Sequence, residues 1–172
     1  MGTNDLKAIV FVDLERELKV TRSVLAVVPA EKFAWKPHEK SMSLMSLAIH
    51  LAELPGWING SLESDELNFA TMEPPKREVK DVAELLAIFD KNAASVLKTV
   101  SNLDMSQFDV PWTMRNGEQI IATRPRPIVH RIWCHNHMIH HRGQLCLYLR
   151  LLNVPVPTVY FNTADDPTMK FD

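Results

Sequence analysis

The strongest constraint on this chain is a helical spacing of apolar side chains that recurs in separate stretches. Val82, Leu85, Leu86, Phe89, Ala93, Val96, Val100 and Leu103 follow one another at intervals that place them on one face of a helix. Asp81, with Glu84 three residues later, carries the side chains that cap such a helix at its start. Val10, Leu14, Leu18, Thr21, Leu25 and Val28 draw the same stripe over residues 4–28, which Pro29 ends. Leu44, Leu47, Leu51, Leu54, Ile58 and Leu62 draw another, in which Pro55-Gly56 is expected to kink the helix or end it early. A last helix is expected from Pro125 or Pro127 to about Leu152, and Pro155 and Pro157 then force an extended tail. Residues 104–125 form a long connection, with Asn116-Gly117 as a tight turn of a small ribbon.

A helix with one apolar face must bury it against another element. At 172 residues, 46% of them apolar, the chain suits one core and one domain, 1–172. The expected fold is all-α, an antiparallel four-helix bundle with long connections and an extended, proline-containing C-terminal tail. Lys and Arg number 19 against 21 for Asp and Glu, without like-charge blocks, so neither nucleic acid nor a membrane surface is an expected partner. A small-molecule substrate fits better. No apolar run approaches the ~20 residues of a membrane span, and neither a signal peptide nor a myristoylation pattern is read at the start, so a cytoplasmic location is expected. Cys134 and Cys146, ~18 Å apart along one helix, cannot pair and read as small core residues.

The segment "HNHMIHHRGQ" at 135–144 raises the question of function. At about 100° per residue, His130, Cys134, His137, His141, Gln144 and Tyr148 share an arc bordered by Met138, Leu145 and Leu152 on one side and Trp133, Leu147 and Leu151 on the other. This places the histidine stripe in the middle of the apolar face. His135 should face solvent, His140 the edge of the arc, and Arg142 the surface or an interface. Burying imidazoles costs a few kcal/mol each unless they find partners. His137 and His141, one turn apart, can converge on one ion; the spacing alone also permits His137 with His140, and His130 lies about 10 Å too far up the helix. A catalytic metal needs a third ligand from elsewhere. His50, at the edge of the second stripe with Glu53 one turn later, is one candidate, and His38 in the preceding connection is another.

"SMSLMSLAIHLAELPGWI" at 41–58 together with "NHMIHHRGQL" at 136–145 resembles the DinB-like (DinB/YfiT) family of four-helix proteins. The resemblance runs from "WKPHEKSMS" through "VPVPTVY". It implies that His50, His137 and His141 bind a divalent metal. It departs at the tail, where this chain has "YFNTADD" in place of the Gly-Pro-Ser-Ala-Asp-like run that often follows the tyrosine in relatives. Three imidazoles suit zinc or nickel best, with iron or copper also compatible. Such a site has an open position at which bound water or a thiol becomes a nucleophile near neutral pH. The resemblance accordingly implies a metal-dependent hydrolase, or a transferase that uses a low-molecular-weight thiol as cosubstrate, acting on a small molecule. Glu53 is then expected to hold the His50 ring or move a proton, and Gln144 to orient a ligand or steady bound water. The competing expectation is a non-catalytic stress-response protein whose ion is structural or sensory. Relatives commonly pair as homodimers, so a homodimer is expected too.

Overall fold

The computed structural model describes residues 3–73 and 78–166. The Met-Gly start and the Pro74-Pro75 part of the connection between the second and third stripes lie outside the described residues. The fold is mostly helical, with one small sheet. Helices α1 (Thr3–Val10) and α2 (Leu14–Ala26) are followed by α3 (Leu44–Glu63) and α4 (Val82–Asn102), then α5 (Arg126–Ile128), a π-helical turn (Val129–His135) and α6 (Asn136–Leu151) in one continuous run. Between them lie β1 (Glu66–Asn68), β2 (Pro111–Asn116) and β3 (Gln119–Pro125). No helix among the described residues is long and apolar enough to cross a membrane.

The three apolar stripes of the first half behave as their spacing requires. Leu14, Leu18, Thr21, Leu25 and Val28 are buried, as are Leu44, Leu47, Leu51, Leu54, Ile58 and Leu62 on α3 and Leu85, Phe89 and Val96 on α4. Both α2 and α3 pack on α4 and on α6, around one shared core. Ser43 caps α3 by accepting from the Ser46 amide at 3.1 Å, and Asp81 caps α4 by accepting from the Glu84 amide at 2.8 Å. Glu84 in turn accepts from the Lys80 amide at 2.8 Å, close to the reciprocal arrangement of a capping box.

Several expectations about the fold need correction. The protein is not all-α: β2 and β3 form an antiparallel hairpin, and β1 adds to β2 in parallel. The hairpin turns one residue later than expected, at Gly117-Glu118 with Asn116 paired to Gln119, and Gly117 has φ +59°, a value that suits glycine. Asn68, at the end of β1, accepts from the Gly117 amide at 2.9 Å and fastens the turn to the extra strand. Next, the stretch over residues 4–28 is two helices, because the chain turns at 11–13 and Phe11 drops into the core beside His130, ring centroids 4.7 Å apart.

Pro55 neither ends nor interrupts α3. A proline inside a helix removes one backbone donor and crowds the preceding turn. Near it, Asn92 on α4 donates to the Ala52 carbonyl at 3.1 Å, a contact that ties this stretch of α3 to α4.

The last correction concerns the buried face of the final helix. Leu147 and Leu151, read as bordering the core, are 58% and 54% exposed, whereas His135 and Arg142, read as facing outward, are 0% and 1% exposed. The core-facing line runs through Cys134, Met138, Arg142, Leu145 and Leu149, so the histidine stripe lies at its edge. The reason is a buried polar seam against α2. Arg142 forms an ion pair with the buried Glu17 carboxylate, donates to the Glu17 carbonyl and Thr21 hydroxyl at 3.2 Å, and donates to the Tyr160 hydroxyl at 2.9 Å. A charged residue neutralised in this way occupies a core position while its letter reads as surface. The tail after Leu151 is extended and held down: Asp165 pairs with Arg150 and accepts from the Val156 amide, and Tyr160 reaches Glu17.

Candidate metal centre

His137 and His141 stand one turn apart on α6, and α3 presents His50 to them from across the interface. Each ring is half-buried. The ligand nitrogens of the three all lie within 4.8 Å of one another. His50 Nε2 is 3.3 Å from His137 Nε2, which is 2.8 Å from His141 Nε2. Their position at the edge of the buried face explains why the cluster is reachable. Beside it opens a cleft of about 500 Å³ lined by Trp57, Met114, Trp133, His137 and His140, among others.

The outer nitrogens decide what the inner ones can do. His137 Nδ1 is 3.2 Å from the Trp133 carbonyl, and His141 Nδ1 is 2.7 Å from Gln144 Oε1. Both partners accept, so each Nδ1 carries its proton and donates it, and each Nε2 is left with a bare lone pair aimed at the cluster. Two such lone pairs 2.8 Å apart repel unless a cation lies between them. Burial pushes all three imidazoles below their usual range; for His50, where the neighbouring His141 and His137 add to the effect, the value falls to about 4. The rings are therefore neutral near pH 7, the state in which histidine ligates metal. A tetrahedral ion with ~2.0–2.1 Å bonds has ligand nitrogens about 3.3 Å apart, which the His50–His137 pair matches and the His137–His141 pair, at 2.8 Å, approaches, so the donor set fits a first-row transition metal after a small opening of the rings.

The other sequence candidates fall as follows. Glu53 lies half-buried on α3, one turn after His50. Gln144 is exposed, and its contact is with the His141 ring, so it acts on a ligand residue directly. His38 is exposed in its connection, where its Nδ1 accepts from the Lys40 amide at 3.2 Å, and it is not among the three clustered histidines. His140 is exposed and stacks edgewise on His141 with centroids 4.9 Å apart, without joining the cluster. His130 is buried, away from the cluster as its spacing required. Cys134 is also buried, 3.7 Å from the Trp57 carbonyl, and burial raises its thiol to about 11.

Sequence reasoning missed Trp57, whose ring meets His50 and His137 edge-on at 6.0 and 6.1 Å. The signal was present, because Trp57 falls two turns after His50 on the same side of α3. It missed the Trp133 carbonyl as well, since a backbone acceptor leaves no trace in residue type.

The chain is similar in fold to solved structures. A DinB-like protein from Bacillus subtilis is 17% identical, with a TM-score of 0.64 over 83% of this chain and 91% of that one. A putative member of the DinB family from Exiguobacterium sibiricum is 17% identical, with a TM-score of 0.63 over 91% of this chain and 98% of that one. No curated protein matches the chain. The DinB family model matches residues 1–170, nearly the whole length, and the protein therefore belongs to the DinB family.

Proposed function

We propose that His50, His137 and His141 hold one divalent transition-metal ion, zinc or nickel before iron or copper, and that the protein is a metal-dependent enzyme acting on a small molecule. The observation that carries this reading is the pair of facing Nε2 lone pairs, each fixed by a hydrogen bond on the far side of its ring. When bound, such an ion lowers the pKa of a coordinated water or thiol and so supplies a nucleophile at neutral pH. Three protein ligands leave at least one position for that group.

The chain's own residues have separable tasks. Gln144 and the Trp133 carbonyl orient the His141 and His137 rings. Trp57 covers the His50 and His137 edges and keeps bulk water from that side. Glu53, one turn from His50, is assigned the transfer of a proton to or from the reacting group. Hydrolysis by bound water and transfer of a low-molecular-weight thiol both fit this arrangement.

Elemental analysis of protein purified without a histidine tag tests the metal directly. About one transition-metal ion per chain is expected, and only substoichiometric traces would overturn the reading. For the chemistry, the metallated protein is assayed on small amides, esters and thiol-reactive electrophiles, with and without added thiol. Turnover that His141→Ala abolishes is the expected result.

A non-catalytic, structural or sensory ion is the second reading. Against it stands the apolar packing between α3 and the final helix, where Leu47, Leu51 and Leu54 on one side and Met138 and Leu145 on the other are already buried. Chelation separates the two readings. A catalytic ion leaves a folded apoprotein with cooperative unfolding, whereas a structural ion takes the fold with it.

A further inference from the structure

We propose that a small apolar pocket adjoining the metal-facing cleft receives one uncharged, ring-sized apolar group of the ligand, whose reacting end lies at the three histidines. The assignment of the reacting end rests on the metal reading above; the apolar pocket stands on its own geometry. The cavity measures about 150 Å³ and shares Trp57, Met114 and Trp133 with the 500 Å³ cleft, so those three side chains form the wall between them. Trp112, Leu67 and Val129 also line it. Polar groups at its edge are already engaged: the Ser61 hydroxyl donates to the Ile58 carbonyl at 2.8 Å, and Cys134 faces the Trp57 carbonyl.

An apolar pocket of this volume accommodates a benzene-sized molecule. Charged groups are excluded because no opposite charge lines it to offset their desolvation, save Glu66 at its rim. Trp112, 5% exposed, has its Nε1 buried without a hydrogen-bond partner among the described residues. An orphaned buried donor on a residue that lines the pocket is costly, so the proposed ring carries at most one acceptor, placed to satisfy it. The class of ligand is thus a phenyl-sized group, bare or with a single ether-like oxygen, joined by a short link to a head that binds metal. The sheet makes this pocket, since Leu67, Trp112 and Met114 come from β1 and β2.

Gly60 on α3 supplies the test. It lines the cavity, and a Cβ built there would meet nothing within 4 Å. Anisole is titrated into the full chain and followed by tryptophan fluorescence, with calorimetry as a second readout. Saturable binding is expected, weakened about tenfold or more by Gly60→Leu, which fills the space. Cys134→Met repeats the test from the opposite wall should Gly60→Leu fail to fold. Absence of saturable binding, or binding indifferent to a folded filling variant, overturns the pocket.

On zinc-loaded protein, phenylmethanethiol is then compared with 2-mercaptoethanol. About tenfold tighter binding of the phenyl compound is expected, with the preference erased by the filling variant; equal affinities overturn the link between pocket and head. Failure to bind zinc at one ion per chain sinks the metal reading alone, because the anisole titration does not depend on it.

Discussion

One helical run carries two sets of histidines that meet opposite fates. His137 and His141 lie half-buried at the edge of its core-facing side, their Nε2 atoms converging with that of His50. His130 and His135, less than two turns earlier, are 1% and 0% exposed, with ring centroids 5.7 Å apart, and none of their nitrogens has a hydrogen-bond partner among the described residues. His135 Nε2 comes only as near as 3.5 Å to Asp13. Residue type is the same in both sets; what differs is the partner on the far side of the ring and a route to solvent. The exposed edge, with Nδ1 acceptors supplied, makes ligands. The sealed side, beside Phe11 and the Arg142–Glu17 pair, makes a cost that the core must offset.

Removing one converging histidine should have the largest effect. His137→Ala is expected to abolish stoichiometric zinc binding, and His135→Ala to leave zinc affinity nearly unchanged, both read by calorimetry. Equal effects would erase the distinction between the two sets. On the sealed side, Arg142→Ala leaves the buried Glu17 carboxylate with only the partly exposed Arg16 at 3.2 Å and the Tyr160 hydroxyl, so a loss of about 3 kcal/mol is expected in urea unfolding. An ordinary surface residue would cost within ~0.5 kcal/mol, and such a result would return Arg142 to the surface.

The sealed side should also answer to pH. Burial lowers His130 to about 4, with the positive neighbours His135 and Arg131 adding to the effect. A group depressed on folding takes up protons in the unfolded state first, so stability falls as pH drops from about 6.5 towards 4. For this residue the loss is on the order of 3 kcal/mol, measured on chelated protein to keep metal release out of the titration. His130→Phe should flatten the slope; an unchanged slope would place the titration elsewhere. The finest test concerns the ring supports. Gln144→Ala should weaken metal binding about 10–100-fold and Gln144→Glu should restore it, because the acceptor for His141 Nδ1 returns. If Gln144→Ala binds normally, the side-chain contact does not orient the ring.

The legible parts of this protein are those in which letter and environment agree. Stripes of leucine and valine gave α2, α3 and α4 because apolar burial has a period that sequence displays. His50, His137 and His141 could be named because two lie one turn apart and the resemblance to DinB-like proteins supplied the third. Pro55 misled because α3 runs on through it, with Asn92 of α4 donating to the Ala52 carbonyl in the same stretch. The final helix misled more: Leu147 and Leu151 look like core and are exposed, while Arg142 looks like surface and is buried. Its π-helical turn over Val129–His135 also breaks the constant 100° step on which the arc rested.

By itself, the sequence determined the apolar stripes of the helices, the caps of α3 and α4, and which imidazoles stand one turn apart, since these depend on neighbours within a few residues. Tertiary structure alone decided which side of the last helix is core, that a third strand joins the hairpin, and that an apolar pocket adjoins the cleft. Those outcomes depend on pairs such as Glu17 with Arg142 and Asn68 with Gly117, whose members are brought together only when distant segments pack.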